Sequence, residues 1–356
     1  MKCFALGPVE MFPHTFEISK QQIPYFRTPE FSATMLDSEK RLKRVFNAPE
    51  NDKVIFLTAS GTAAMEASVF NCFTKEDKLL IINGGIFGRR FVEICKAFSY
   101  EYESIDLSFG EVLSEKHLEK YEGKGFTALL VNIHETSTGQ LYNTKMLSDY
   151  CKRNKMYFVV DAISSVFADE YDITKYGIDV TILSSQKGLA IGPGMSFVLL
   201  SEAIWENKVS KNTPPSLYFD FKDYVENQKR GQTPYTPAVR VALELNDMLK
   251  HIEAEGIDHR LEHVDTVVKD FRNKLQNVED VHFPEYPLSN ASTPILFDRL
   301  NADKVYEVMK NKYEVVLTPC GGDLKHVMVR MGHIGNHTIE ENDLVIDVLK
   351  KALLEV

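Results

Sequence analysis

The stretch TILSSQKGLAIGPGMSFVLLS, residues 181–201, places one lysine, Lys187, between two apolar runs that are typical of buried β-strands. An ammonium group is costly to bury unless it is paired or loses its charge. Burial lowers the pKa of a lysine, and the neutral amine is a nucleophile for Schiff-base chemistry. Taken alone, a lysine at a strand end that extends its head to solvent is the simpler alternative.

Around this stretch, β-rich segments alternate with amphipathic helical segments from about residue 53 to residue 201. Several of the β-rich segments are apolar without alternation, as strands buried on both faces of a sheet are. The pattern predicts repeated βαβ units and an α/β fold with a mostly parallel sheet. The seven strand candidates are KVIFLT (53–58), KLLIIN (78–83), EYESID (101–106), FTALLVNI (126–133), MYFVVDA (156–162), DVTILS (179–184) and MSFVLL (195–200).

A long helical run follows, from about Arg240 to Leu275, with an expected break near Glu255 and Gly256. Beyond it, strand and helix patterns alternate again up to a final helix over about 339–354. The length and this pattern predict a large domain over residues 1–250 and a small C-terminal α+β domain over residues 251–356.

The composition excludes several classes of partner. There are 41 Lys and Arg against 51 Asp and Glu, a net charge of −10, and the basic residues form no long cluster. Nucleic acid and anionic membranes are therefore not expected as partners. No run approaches the roughly 20 apolar residues of a membrane span. The five scattered cysteines form no CxxC pair, so we expect free thiols, no metal site and a cytoplasmic location.

Polar residues follow several of the predicted strands, at the edge where ligands of α/β sheets gather. The turn Ser60–Thr62 opens a helix and suits either a phosphate or a plain helix cap. The cluster HETSTG (134–139) and the carboxylate of Asp161 follow two other strands, and Lys187 follows a fourth. An anion site, an acid and an amine on one edge are the set that pyridoxal 5′-phosphate requires.

The chain resembles the class V aminotransferases of fold type I, the group with the alanine–glyoxylate, serine–pyruvate and 2-aminoethylphosphonate–pyruvate transaminases. The resemblance covers nearly the whole chain and implies a pyridoxal-phosphate-dependent fold with a large domain, built on a seven-stranded sheet, and a small C-terminal domain. The motifs that carry it are LGPV (6–9), YFRTPEFS (25–32), ASGTAAMEAS (59–68), NGGIFGRR (83–90), HETSTG (134–139), VVDAISS (159–165), SSQKGLAIGPG (184–194), QTPYTPAV (232–239) and VRMGHIGN (329–336).

The resemblance implies roles for individual residues around the cofactor. Lys187 would hold pyridoxal phosphate in a Schiff base and move the substrate proton, and Asp161 would pair with the pyridinium nitrogen. The other expected cofactor contacts are Ser60, Gly61, Thr62 and Gln186 at the phosphate, Thr136 near the phenolic oxygen, and Phe87 on the ring, although an ordinary core position is the alternative for Phe87.

The resemblance also implies a homodimer with shared active sites, because in the family the neighbouring subunit completes the phosphate site. Tyr235 and Thr236 are the expected contributors, with Thr233 as an alternative. Arg330 would bind the substrate α-carboxylate through paired hydrogen bonds. Arg27, in the N-terminal segment 1–30 near the active site, would approach the substrate, with a surface or interface pair as its alternative.

The implied reaction moves an amino group from a small alanine- or serine-like donor to glyoxylate or pyruvate by a ping-pong mechanism. 2-Aminoethylphosphonate as donor is the first alternative; a cysteine desulfurase-like lyase and a catalytically silent scaffold are the others. Desulfurases typically carry histidine where this chain has Gln186. Two further expectations are that residues 166–168 narrow the space behind Asp161 and that Cys320 is a small buried residue; His134 has no assigned role.

Overall fold

The structure, a computed structural model, describes residues 1–356. Its fifteen strands are β1 Lys2–Cys3, β2 Lys53–Leu57, β3 Lys78–Asn83, β4 Glu101–Asp106, β5 Ala128–Asn132, β6 His134–Glu135, β7 Gln140–Leu141, β8 Tyr157–Asp161, β9 Val180–Ser184, β10 Ser196–Leu200, β11 Val281–His282, β12 Ser292–Phe297, β13 Val315–Val316, β14 Thr318–Pro319 and β15 Met328–Gly332. Its thirteen α-helices are α1 Pro13–Ser19, α2 Pro29–Val45, α3 Gly61–Cys72, α4 Ile86–Ala97, α5 Glu115–Glu119, α6 Thr144–Asn154, α7 Ile173–Tyr176, α8 Glu202–Asn207, α9 Phe221–Gln228, α10 Val239–Glu255, α11 Ile257–Leu275, α12 Ala302–Tyr313 and α13 Ile339–Leu353.

Seven strands form the large sheet, in the order β2-β10-β9-β8-β5-β3-β4. All the pairings from β9 to β4 are parallel, whereas β10 is antiparallel to both β2 and β9. Only residues 185–195 join β9 to β10, which is too short for a parallel crossover of a dozen or more residues. The mostly parallel seven-stranded sheet predicted from the sequence is confirmed, and this short connection explains its one antiparallel strand.

Helices cover both faces of the large sheet, so its central strands are buried and mostly apolar. Every residue of β5, β9 and β10 is buried. Along β3, Leu79 and Ile81 pack into a cluster with α3 and α4, whereas Leu80 and Ile82 pack on the opposite face with α2, α6 and α10. Successive residues of a strand point to opposite faces, so both faces here require apolar side chains.

The strand directions bring the polar strand ends together. Because β2 and β9 are both antiparallel to β10, they point the same way, and β8 and β5 are parallel to β9. Their carboxyl ends therefore deliver Ser60–Thr62, His134–Gly139, Asp161 and Lys187 to one edge of the sheet.

The C-terminal part forms a second layer around the sheet β11-β12-β15-β14, with α12 and α13 packed on it. The helical break lies where it was expected, at Gly256 (φ +88°), and we propose that the two domains divide there. The division expected from the sequence needs one correction at the amino end. β1 pairs in parallel with β13, and the apolar side chain of Phe4 is buried in the core of the C-terminal part, so the amino terminus packs with that part of the chain.

No helix has the length and apolarity needed to cross a bilayer.

Candidate active site

Lys187 lies just past β9, against the amino-terminal segment. Its Nζ donates a hydrogen bond to the carbonyl oxygen of Leu6, and the N–H of Val9 donates to the carbonyl oxygen of Gln186 at 3.2 Å. A Cβ added at Gly7 would lie 2.7 Å from Cδ and Cε of Lys187, and the φ of +133° at this position also requires glycine. The amino-terminal segment therefore holds the lysine through its backbone.

The electrostatic surroundings of Lys187 favour the neutral amine. The pKa of Lys187 is lowered to about 8, chiefly because burial disfavours the ammonium form. The nearby positive charges of Arg330 and Arg90 also lower this pKa, whereas the charge of Asp161 raises it. The amine is thus more readily deprotonated near neutral pH than that of a surface lysine.

Asp161 ends β8 and is almost completely buried. The one hydrogen bond that its carboxylate accepts comes from the N–H of Ile163 at 2.9 Å. Its pKa is raised to about 7, first because of burial and further because of the charge of Glu135, while Arg90 and Lys187 act in the opposite direction. A carboxylate with so few donors is stabilised in its charged form by a cationic partner, such as a protonated ring nitrogen.

The first turn of α3 provides free donors for an anion. Ser60 is the N-cap residue, but its hydroxyl makes no capping hydrogen bond, and the N–H groups of Gly61 and Thr62 have no intrahelical acceptor. Arg90 donates a hydrogen bond to Oγ1 of Thr62 at 2.9 Å. A Cβ at Gly61 would lie 2.4 Å from Cδ1 of Ile163, so a larger residue here would displace the end of that side chain. The helix start and the adjacent cation suit a phosphate group.

Two more of the expected cofactor residues lie beside this turn. The side-chain carbonyl of Gln186 accepts a hydrogen bond from the hydroxyl of Ser184 at 2.6 Å, and Cβ of Ser184 lies 3.4 Å from the Cβ position of Gly61. Phe87 is partly exposed at the start of α4, and the guanidinium of Arg90 lies 4.8 Å from its ring centroid. Phe87 is therefore not an ordinary core residue.

Thr136 and His134 belong to a buried chain of hydrogen bonds. The hydroxyl of Thr136 is 2.7 Å from that of Ser164, which in turn is 3.0 Å from Nδ1 of His134. Nε2 of His134 is 3.3 Å from the hydroxyl of Ser292 on β12. Burial lowers the pKa of His134 to about 3, so the ring is neutral. This neutral histidine links the site to the small sheet.

Glu135 is fully buried, and the sequence did not single it out from its neighbours in HETSTG. It accepts hydrogen bonds at 3.0 Å from the N–H groups of Gly88 and Ser137 and from the side-chain amide of Asn132. Its charge thus satisfies the N–H groups at the start of α4. Arg90, which contacts Thr62 and the ring of Phe87, was also missed; the only available signal was its place in NGGIFGRR.

Arg330, on β15, is buried without a carboxylate partner. Its Nη1 donates to the carbonyl oxygen of Thr136 at 2.6 Å and its Nη2 to that of Pro319 at 2.9 Å, while its Nε has no partner. Cys320 lies beside it; burial raises the pKa of this thiol, and Arg330 counteracts the rise. Cys320 is partly exposed, so the expectation of a buried residue is corrected: the loop after β14 leaves it at the rim of a cleft.

That cleft has a volume of about 820 Å³. Its lining includes residues 83–86 at the start of α4, Ser137 and Thr138, residues 320–324 and Arg330. Neither Asp161 nor residues 166–168 line this cleft, so the expected narrowing of the space behind Asp161 stays a prediction. Residues 166–168 are all buried, and the ring centroid of Phe167 is 5.4 Å from that of Phe46.

Thr233, Tyr235 and Thr236 lie on the segment 232–237, and Arg27 contacts this segment rather than the turn before α3. Arg27 donates to the carbonyl oxygens of Thr233 at 3.0 Å and Pro234 at 3.2 Å. Tyr235 donates through its hydroxyl to the carbonyl oxygen of Leu217 at 3.2 Å, and Thr236 is exposed. Within one chain, these residues do not join Lys187, Asp161 and Arg330.

Comparisons with known proteins identify the family of this chain. The family described as aminotransferase class-V matches residues 25–335. An uncharacterized aminotransferase of Methanocaldococcus jannaschii is 31% identical over 344 residues, covering 92% of this chain and 86% of that protein. The serine–glyoxylate aminotransferase of Hyphomicrobium methylovorum is 29% identical over 65% of this chain and 59% of its own length. The structure of a subgroup IV aspartate aminotransferase from Thermus thermophilus is 25% identical, with a TM-score of 0.91 over 100% of both chains. The chain belongs to the class V aminotransferases and is a pyridoxal-phosphate-dependent transaminase of fold type I.

Proposed function

We propose that this transaminase transfers the amino group of a small alanine- or serine-like donor to glyoxylate or pyruvate by a ping-pong mechanism. The observation that carries the proposal is Arg330, a buried cation at the cleft that bonds only to two carbonyl oxygens and keeps its Nε without a partner. A substrate α-carboxylate would supply the missing negative charge. The serine–glyoxylate aminotransferase among the relatives supports a donor of this size.

The residues at the carboxyl ends of the large-sheet strands fit the cofactor and the proton transfers of this reaction. When bound, pyridoxal phosphate supplies an electron sink for the substrate's Cα. Ser60, Gly61 and Thr62 would bind its phosphate, and Asp161 would hold its ring nitrogen protonated. Nζ of Lys187, with a pKa lowered to about 8, would remove the proton from Cα of the substrate and deliver it to C4′ of the cofactor. The 2-oxo acid formed from the donor leaves before the acceptor enters.

We propose further that two chains share their active sites in a homodimer. Tyr235 and Thr236 lie on an outer segment, next to the strongly exposed Leu217. Arg27 binds the backbone of this segment and so holds it in shape, which gives Arg27 a positioning role rather than a direct substrate contact. The five free cysteines suit a reducing compartment, and we propose a cytoplasmic location.

A panel of amino donors tests the proposed substrate. The cofactor-loaded enzyme is mixed with alanine, serine, aspartate or 2-aminoethylphosphonate, with glyoxylate or pyruvate as acceptor. Both the cofactor absorbance and the carbonyl product of the donor, a 2-oxo acid or, from 2-aminoethylphosphonate, an aldehyde, are measured. We expect alanine or serine to have the highest kcat/KM. A clear preference for aspartate or for 2-aminoethylphosphonate would replace the proposed donor, and bleaching by none of them would exclude all four.

Arg330→Ala separates carboxylate binding from the rest of the reaction. KM for carboxylate donors should rise by roughly 10- to 150-fold, because a charge-assisted hydrogen-bond pair is lost. Arg299→Ala, on the exposed surface of the same part of the chain, is the matched control and should behave like the wild type. An unchanged KM in Arg330→Ala would contradict the role of this residue.

A further inference from the structure

A second group of potential ligand atoms lies away from the active site, where α1 packs against α10. Nδ1 of His14 is 2.7 Å from Oδ2 of Asp247, and Nε2 of His251 is 3.8 Å from the same oxygen. The ligand atoms of the three side chains all lie within 4.8 Å of one another. Asp247 and His251 are one helical turn apart on α10, so they point to the same side of that helix.

Hydrogen bonding to Asp247 accounts for only one of the two histidines. The imidazole rings of His14 and His251 stack with centroids 3.7 Å apart, yet both face a single carboxylate oxygen. One imidazole is enough to pair with that oxygen, and the longer contact of His251 is beyond hydrogen-bonding distance. Two imidazole nitrogens and one carboxylate oxygen are a ligand set that zinc and related divalent ions prefer.

The exposure of the group suits an ion that also binds water. The His14 and Asp247 side chains are about a quarter exposed, and His251 is half exposed, so solvent reaches the point between them. Three protein ligands and an open position form the usual shell of a non-structural zinc site.

We propose that His14, Asp247 and His251 bind a divalent transition-metal ion of the Zn²⁺ and Co²⁺ class, which fastens α1 to α10. The ion would add to two existing contacts across this junction, from Ser19 to Glu244 and from Arg240 to the backbone of Ser19. The segment Leu6–Val9, which contacts Lys187 and Gln186, comes shortly before α1 in the chain. An ion that holds α1 on α10 would therefore also restrict the movement of this segment.

The chain contains a matched control for this site. His259 and Glu255 are also four residues apart, with Nδ1 of His259 3.5 Å from Oε1 of Glu255, but no second histidine converges on that pair. His259→Ala therefore removes an exposed histidine of the same local kind without touching the proposed ligands.

Cobalt binding tests the proposal directly. The chelator-treated, cofactor-loaded enzyme is titrated with Co²⁺, and the visible ligand-field absorption is followed at wavelengths longer than those of the cofactor. We expect saturation at one ion per chain in the wild type and in His259→Ala. His14→Ala and His251→Ala should bind more weakly, by more than the roughly 10- to 100-fold that the loss of an outer-shell partner costs.

Thermal unfolding provides the second readout. Zn²⁺ should raise Tm for the wild type and His259→Ala but not for His251→Ala, since an ion that binds the folded state stabilises it. His251 is half exposed, so this variant should fold; Asp247→Asn, which keeps the shape of the side chain, should also lose the Tm shift. Equal Co²⁺ binding in the wild type and in both histidine-to-alanine variants, or no saturable binding in the wild type, would overturn the proposal.

Discussion

Two buried carboxylates, Glu135 and Asp161, follow adjacent parallel strands of the large sheet, and their surroundings differ sharply. Glu135 accepts hydrogen bonds from backbone N–H groups, an amide and the hydroxyl of Ser137. Asp161 accepts one backbone hydrogen bond, and its pKa is raised to about 7, chiefly by burial. The fold itself stabilises the first charge, whereas it leaves the second to be stabilised by a ligand.

Of the variants that test this comparison, Asp161→Asn should have the largest effect, and it should act on turnover. Turnover of the cofactor-saturated enzyme is expected to fall by roughly 10²- to 10⁴-fold, because a neutral amide cannot stabilise a positive charge on the cofactor's ring nitrogen. The variant should remain folded, since only one hydrogen bond is altered. Steady-state kcat together with circular dichroism measures both. If Glu135→Gln lowers kcat as much while it remains equally well folded, the contrast between the two carboxylates is wrong.

Glu135→Gln should instead act on stability. We expect the free energy of unfolding to fall by about 2–4 kcal/mol, because the amide removes the negative charge and leaves buried N–H donors unsatisfied. Urea unfolding of the cofactor-free enzyme measures this loss. Glu101→Gln, at an exposed position of β4, is the control and should stay within roughly 0.5 kcal/mol of the wild type. A similar small change in Glu135→Gln would show that its hydrogen bonds contribute little.

The pH dependence of stability sharpens the same contrast. Burial raises the pKa of Asp161 from 3.8 to about 7, so the folded cofactor-free enzyme holds this proton more tightly than the unfolded chain does. The resulting stability is full below about pH 4 and is lost as the pH rises to about 7. The asparagine of Asp161→Asn does not titrate, so the variant does not lose this stability. The free energy of unfolding of the variant minus that of the wild type should therefore be about 2–3 kcal/mol higher at pH 8 than at pH 5.

Urea unfolding at the two pH values measures this difference. Asp149→Asn is the control: the hydrogen bond from Lys145 lowers the pKa of Asp149, so this exposed group is ionised throughout the interval. A relative stability of Asp161→Asn that does not change between pH 5 and pH 8 would mean that Asp161 is stabilised in its charged form without a ligand.

The sequence predicted the large sheet well because its signal is local. Each of the seven strands is a short run of apolar or β-rich residues, and the helical break at Gly256 has a local cause in the backbone freedom of glycine. The antiparallel direction of β10 could also have been inferred, since the connection before it is too short for a crossover.

The site was predictable where a residue follows a strand and less so where its role depends on distant contacts. Lys187 and Asp161 stand at strand ends, and the structure brings both to one edge with Ser60–Thr62. Glu135 and Arg90 acquire their roles from partners on other elements, 47 residues away for Glu135 and Gly88 and 28 for Arg90 and Thr62. No periodic pattern in the sequence encodes such pairs, and the side-chain contacts of Arg27 depended on a loop more than 200 residues away.

The hydrogen bonds of Arg330 have a consequence for redesign of this enzyme. From β15 of the small sheet, its guanidinium donates to Thr136, in the turn between β6 and β7 past the end of β5, and to Pro319 on β14 of the small sheet. A substitution chosen to admit amines without a carboxylate would therefore also weaken the joint between the two layers. Variant libraries at this position would select both for acceptance of the new donor and for stability of the contact between the two layers. A second substitution that restores this contact would have to accompany any change of donor.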